Sequence, residues 1–357
     1  MTIDTAVLSP EGLKRFQALE ADAVRAVTDR FYSAHGSAYQ RFGERGRAAC
    51  GEDLAFHLDF LRPVLEFGLL QPMVDYLVWL GAVLSSRAIP TEHVVQSLDW
   101  LGEFFADNMP AGDGQVVAAA LSIAKTGFLS AERDDQSPRT AIHAWPQVTG
   151  FEAALLSGQQ QAAHDIALGC LNEGHTLIDI EQHIIQPALY RVGEKWQANQ
   201  VTVAQEHLAT AIAQSVMTVG LERSQIPPSN GNRVLLACVA GNSHALGLQM
   251  VADAFRLAGW DVQYLGANTP TPAVVAQAVA FRPDLVGLSV SFAQQLPAVR
   301  DIIAQLKLRL GDRRPAVMLG GLAVNRSSQL ATLVGADAFC TDAQTAVAYA
   351  AETTARS

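Results

Sequence analysis

The chain has 357 residues, too many for one compact domain and enough for two or three. Apolar residues at 49% supply ample core material, and charged residues at 17% fall below the quarter or so of an ordinary soluble chain, which excludes global disorder. A net charge of −10, from 35 acidic and 25 basic side chains with no basic cluster to offset it, argues against phosphate neutralisation and so against direct DNA or RNA binding. Four cysteines, Cys50, Cys170, Cys238 and Cys340, show no CxxC spacing, which disfavours a zinc site or a disulfide framework. The apolar stretches at 77–80 and 117–121 are far short of a membrane span. The opening MTIDTAVLSPEG lacks the basic start and apolar run of a signal peptide, so a cytoplasmic protein with no membrane partner is expected.

Two polar, proline-bearing stretches divide the chain. Residues 132–150 contain Ser137-Pro138 and Pro146, and residues 224–232 contain Pro227-Pro228 and an Asn-Gly. Three modules follow, over 1–131, 149–223 and 232–357.

The first module reads as all-helical. Ser9-Pro10-Glu11 has the form of a helix N-cap with proline at the first helical position. Leu54, Leu58, Leu61 and Leu65 recur at helical spacing, as do Val94, Leu98, Leu101 and Phe105. Residues 73–84 (MVDYLVWLGAVL) are apolar on nearly every side, which predicts a central buried helix. A globin-sized module of seven or eight helices is expected. The second module is also helical and short enough for a four-helix bundle.

In the third module, short β-rich apolar runs at 233–239, 262–265, 285–290 and 316–319, with a weak last one at 336–340, alternate with helical patterns. This alternation predicts a doubly wound α/β domain of the flavodoxin-like, Rossmann-like type, with a parallel sheet. In such a sheet the ligand crevice lies beyond the carboxyl ends of the strands. Three features fall there: His244 in the run Asn242-Ser243-His244-Ala245-Leu246-Gly247, then Ser289 and Ser291, then Gly320-Gly321. The loop has neither GxGxxG nor GxxxxGK[ST], which leaves little support for a nicotinamide or nucleoside-triphosphate site. Its imidazole is a donor for a transition metal, with a neighbouring side chain to orient the other ring nitrogen.

These residues resemble the cobalamin-binding domain, whose signature is Asp-x-His-x-x-Gly, then Ser-x-Leu, then Gly-Gly. Asn242 stands at the acid and Ser291 at the leucine. The resemblance implies that His244 is the lower axial ligand of cobalt. It also implies that the vitamin's nucleotide tail runs beside Gly247, Ser289, Gly320 and Gly321, and that the Asn242 amide accepts the ring N–H of His244.

In the second module, Trp196 is followed by Val203 and by Glu206-His207, which matches the Trp-x9-Glu-His motif of light-sensing adenosylcobalamin regulators. That resemblance implies an indole over the adenosyl group or macrocycle, with Glu206 and His207 on the adenosyl ribose and base. Gln197 stands where those regulators can carry a second, cobalt-capturing histidine.

The order of helical module, bundle and cobalamin domain is similar to the photocobilins, which pair cobalamin with biliverdin. On that resemblance His57, on a helical face with Leu54 and Leu61, would border a bilin pocket, and Arg62 would pair with a propionate.

The resulting expectation is a non-enzymatic, cobalamin-dependent light-sensing signalling protein. It would act through cap packing and a homo-oligomer (dimer or tetramer), with a downstream regulatory protein as a possible partner. The alternatives are a corrinoid methyl carrier or mutase component, and a light-independent cobalamin-sensing adaptor.

Overall fold

The structure is a computed structural model that describes residues 6–131 and 144–354. The chain divides into two compact units, residues 1–135 and 136–357. The Ser137-Pro138 break lies outside the described residues.

The first unit is helical, with α1 (Pro10–Tyr39), α2 (Gly43–Phe67), α3 (Leu70–Ser85), α4 (Thr91–Asn108) and α5 (Ala111–Ser130). Ser9 caps α1 as its sequence suggests, its Oγ accepting the N–H of Gly12 at 3.1 Å. Phe16, Leu61, Leu65, Met73, Leu77, Leu101 and Phe105 form the core.

Two expectations need correction. Among the described residues there are five α-helices, not seven or eight. α1 runs 30 residues and α2 runs 25, with Pro63 inside α2 rather than at its end. The central helix is also less enclosed than its composition suggests: α3 buries Met73, Leu77 and Leu80 but leaves Trp79 38% exposed.

The second unit joins a helical bundle to a sheet domain. The bundle has four rods: α6 (Gln147–Leu156), α7 (Gln160–Asn172), a composite rod and α10 (Val203–Arg223). The composite rod runs from α8 (Leu177–Ile180) through a π-turn (Glu181–Ile185) into α9 (Gln186–Gln197). The bundle core of Phe151, Leu155, Ile180, Ile184, Ile212 and Met217 also takes in Met250 of the sheet domain.

The sheet domain has five parallel strands in the order β2-β1-β3-β4-β5. They are β1 (Arg233–Cys238), β2 (Asp261–Tyr264), β3 (Leu285–Ser289), β4 (Ala316–Gly320) and β5 (Ala338–Phe339). The connecting helices are α11 (Leu246–Leu257), α12 (Thr271–Phe281), α13 (Leu296–Leu310), α14 (Leu322–Arg326) and α15 (Gln329–Val334), and α16 (Ala343–Thr354) follows β5. α11 packs with α16 and α12 with α13, giving the helical layers of a doubly wound sheet. Every residue of β3 is buried, as a central parallel strand covered on both faces requires. Register sets Cys238, Ser289 and Gly320 side by side, so the loops that follow β1, β3 and β4 leave the sheet from one row.

Candidate functional site

His244 lies on the loop between β1 and α11, at the carboxyl edge of the sheet. A network of buried polar groups fixes this loop. Asn242, with no exposed surface, donates through Nδ2 to the Ser289 carbonyl at 2.9 Å. Its Oδ1 accepts the backbone N–H of His244 at 3.1 Å and the Ser291 hydroxyl at 3.0 Å. Gln295 donates to the Gly241 carbonyl at 2.9 Å while its Oε1 accepts the Ser291 N–H at 2.8 Å. Asn268 Oδ1 accepts the Gly241 N–H at 2.7 Å, and the Tyr264 hydroxyl donates to the Ala245 carbonyl at 3.0 Å. Protein groups thereby hold the backbone on both sides of the imidazole.

The ring itself is exposed and meets the edge of Phe292, with centroids 5.4 Å apart at 76°. Surrounding protein mass lowers the pKa of His244 from its ordinary value, against a smaller opposing pull from the Glu206 carboxylate. The shift favours the neutral imidazole, the form that binds a metal.

Two expectations about this network are corrected. Asn242 accepts the histidine's backbone N–H, not its ring N–H, because the amide is turned down toward the end of β3. The Ser289 and Ser291 side chains are buried rather than open at the crevice mouth, since both serve the Asn242 amide.

The two glycine elements have different physical origins. Gly321 has φ 99°, and a Cβ there would sit 2.4 Å from the Val290 carbonyl oxygen, so this glycine admits the backbone of the neighbouring loop. A Cβ on Gly320 would meet the Cys340 carbonyl at 3.3 Å. A Cβ on Gly247 would meet nothing within 4 Å, leaving open space where α11 begins.

Trp196 ends α9 half-buried, and a tight turn with Asn199 at φ 56° leads into α10. Thr202 closes that turn with a capping box, its Oγ1 accepting the Gln205 N–H at 3.2 Å while Gln205 Oε1 accepts the Thr202 N–H at 3.0 Å. The Trp-x9-Glu-His spacing is therefore one helical hairpin. Val203 is 53% exposed at the start of α10. Glu206 is half-buried, accepts the Thr210 hydroxyl at 3.0 Å and pairs with the exposed His207 ring. Gln214 of α10 donates to Gln249 of α11 at 3.2 Å, and Leu246 packs against the bundle core, so α10 lies against the start of the helix that follows the His244 loop.

The remaining two candidates lie in the other unit. His57 is 2% exposed, its Nδ1 hydrogen-bonded to the Tyr76 hydroxyl at 2.8 Å, and burial lowers its pKa to about 4. The pocket expected around its ring is filled by protein. Arg62 pairs with Glu66 at 3.3 Å on its own helix.

Two family patterns, each described as a B12 binding domain, match residues 232–351 and residues 148–219, together more than half of the chain. The chain belongs to the B12-binding family. The sheet domain and the bundle are its two matched parts, and the sequence resemblance to cobalamin-binding light regulators stands on them.

Among its relatives, the HTH-type transcriptional repressor CarH of Myxococcus xanthus is 32% identical over 146 residues, 41% of this chain and 48% of the repressor. The HTH-type transcriptional repressor CarA of the same organism is 34% identical over 122 residues, 33% of this chain and 40% of that protein. Dimethylamine corrinoid protein 1 of Methanosarcina acetivorans is 29% identical over 147 residues, 40% of this chain and 68% of that protein. The chain thus spans under half the length of the two repressors it matches.

The repressors overturn the expectation that nucleic acid is excluded as a partner: B12-binding relatives of this chain are HTH-type transcriptional repressors. Net charge was the wrong measure, because it is summed over the whole chain. It hides local clusters such as Lys307, Arg309, Arg313 and Arg314, contrary to the reading that no basic cluster is present.

The residues present fit a cobalamin. His244 offers an exposed imidazole, Gly247 leaves open space three residues on, and Trp196 and Val203 present apolar surface on the α9–α10 hairpin. Sequence reasoning missed Gln295, Asn268, Tyr264 and Phe292, which hold or flank the histidine loop from three other parts of the fold. No short spacing links them to His244. Among the described residues no cluster of three or more His, Cys, Asp or Glu is placed to hold a metal ion. Nor is any helix long and apolar enough to cross a membrane.

Proposed function

We propose that this chain is a cobalamin-dependent light-sensing signalling protein rather than an enzyme. The observation that carries the reading is that α10, which bears Glu206 and His207, packs against α11, the helix that follows the His244 loop, with Gln214 donating to Gln249 at 3.2 Å. His244 would hold cobalt from below. Trp196 and Val203 would cover the upper face and exclude water, while Glu206 and His207 would hydrogen-bond the ribose and base of an adenosyl group. Adenosylcobalamin, when bound, supplies a weak cobalt–carbon bond that light breaks.

The residues of the chain do the rest. Loss of the adenosyl group would remove the packing partner of Trp196 and the ribose hydroxyl donors facing the Glu206 carboxylate. The α9–α10 hairpin then repacks, and the change passes to the contacts between protomers. The helical N-terminal unit would carry biliverdin as a second chromophore in the same reading, although His57 and Arg62 already have protein partners.

The test is the absorption spectrum and the molar mass of the full chain, loaded with adenosylcobalamin in the dark and then lit with green light. A changed spectrum with a changed mass is expected; an unaltered spectrum defeats the proposal. Supplying biliverdin as well should add a far-red band.

The identity with a dimethylamine corrinoid protein supports a second reading, a corrinoid methyl carrier. A carrier needs an open upper face for its methyl donor, and Trp196, Glu206 and His207 would obstruct that approach. Turnover with a methyl donor and partner methyltransferase would decide for the carrier.

A further inference from the structure

The bundle meets α11 of the sheet domain through two buried acids. Glu181 opens the π-turn, is 1% exposed, and has both carboxylate oxygens buried with no protein donor on either. Asp253 on α11 is also 1% exposed. Its Oδ1 accepts from Arg256 at 2.7 Å, while its Oδ2 is buried with no donor. α8 packs on α11, and the two carboxyl groups lie within hydrogen-bonding reach of each other.

Two carboxylates so placed cannot both be charged, and a buried acceptor without a donor is costly. A single proton resolves both problems. Held on Glu181, it is donated to the vacant Oδ2 of Asp253, whose other oxygen faces the Arg256 guanidinium. Glu181, Asp253 and Arg256 then sum to zero charge.

We propose that Glu181 and Asp253 share one proton and that this carboxyl–carboxylate bond seats the helical bundle on α11. They are positioning residues, fixing the height of the Trp196–His207 hairpin above the His244 loop. That consequence rests on the light-sensing reading, but the seat itself does not. The π-turn is part of the device, since its extra residue breaks the regular helical register at Glu181.

The groups around the pair are few. Arg256 acts on Asp253 from α11 itself. Asp253 in turn acts on Tyr264 of β2, whose neighbour Cys238 of β1 also bears on it; both are neutral over the working range, burial pushing them up to about 12 and about 11. After burial, the group that acts on Glu181 is Asp253. The nearby polar contact of α10 with α11 is neutral, Gln214 donating to Gln249 at 3.2 Å.

The direction follows from linkage. Glu181 is held well above the ordinary carboxylate range, first by burial and then by Asp253. The seated state therefore keeps a proton that the unseated state releases, and seating weakens as pH rises from the ordinary carboxylate range toward the folded value.

Two measurements on the full chain, made with and without hydroxocobalamin, test this. In wild type, infrared spectra at neutral pH should contain a protonated-carboxyl band that Glu181→Gln removes. Hydrogen exchange of the π-turn and α11, corrected for intrinsic rate, should show seat opening that steepens with pH, by up to about tenfold per unit. Glu181→Gln keeps a donor toward Asp253, so its seat should stay closed with a flat pH profile. Asp253→Asn leaves Arg256 unpaired and should open the seat at every pH. Absence of the band in wild type, or a Glu181→Gln profile as steep as wild type, overturns the proposal. Neither readout needs light or adenosylcobalamin, so failure here is distinct from failure of the sensor reading.

Discussion

Asn242 Oδ1 accepts the backbone N–H of His244 at 3.1 Å while Asn242 Nδ2 donates to the Ser289 carbonyl at 2.9 Å. One buried amide thus ties the histidine loop to the end of the central strand, and it needs both its donor and its acceptor to do so. An aspartate would keep the acceptor, lose the donor and set a carboxylate against a carbonyl oxygen. Asn242→Asp is therefore expected to destabilise the second unit by about 1–3 kcal/mol. Denaturant unfolding of the protein without cobalamin measures this. A stability equal to wild type would show that the amide is not the anchor.

Gly321 offers a sharper steric test. Its φ of 99° strains any L side chain, and an added Cβ would stand 2.4 Å from the Val290 carbonyl oxygen, an atom held in the backbone. Gly321→Ala should cost about 2–4 kcal/mol through strain and displacement of the β3 loop. Gly247→Ala, in open space within α11, should leave stability within about 0.5 kcal/mol of wild type or raise it slightly. Its effect should fall instead on cobalamin binding, as a weakened affinity in a spectroscopic titration.

The sheet was legible because RVLLACV and LVGLSV are unbroken apolar runs between turn residues, which a strand covered on both faces requires. Sheet topology then carries His244, Ser289 and Gly320 to one edge, so the location of the site was legible as well. What those side chains do there was not. The contacts that turn Asn242 toward β3 come from Ser289 and Ser291, 47 and 49 residues away, and no local spacing encodes them. Glu181 and Asp253 are likewise far apart in sequence, and each alone reads as a solvated helix acid. In the first unit the helix number was overestimated because α1 and α2 run 30 and 25 residues without a break, lengths that local periodicity does not fix.

Trp196 and Glu206 should separate retention of the upper group from cobalt binding. Trp196→Ala removes a half-buried indole from the hairpin and leaves the His244 loop untouched. Affinity for adenosylcobalamin in the dark is expected to fall about 10–100-fold, the equivalent of about 1.5–3 kcal/mol of apolar contact. Affinity for hydroxocobalamin should change less than threefold or so on the same scale. His244→Ala should weaken both forms and shift their spectra. If the two variants gave the same pattern, the division into upper and lower faces would fail.

The last prediction concerns the first unit, where buried groups give opposite pH dependences. Burial lowers the pKa of His57 from 6.5 to about 4, so the folded state takes up its proton later than the unfolded chain as pH falls. The contribution of His57 is fully present above about pH 6.5 and is lost as pH drops toward 4, amounting to about 3 kcal/mol for a fully buried ring. Glu20 behaves in the opposite way: burial, aided by Asp59, raises it from 4.5 to about 7, so stability falls as pH rises through that window. Asp53, raised from 3.8 to about 6 by burial and Glu52, acts in the same direction as Glu20. The windows overlap, so the rise with pH from His57 offsets part of the fall from Asp53 and Glu20, and the net stability of the first unit should decline from about pH 4.5 to about 7. His57→Leu should make that decline steeper and Glu20→Gln should make it shallower, each read from denaturant unfolding of the full chain across pH 4–7. Tyr76→Phe strips His57 of its hydrogen bond without changing its burial. It should lower stability by about 1–3 kcal/mol at neutral pH and leave the pH dependence contributed by His57 in place. A pH profile in His57→Leu no steeper than that of wild type would show that His57 does not contribute to it.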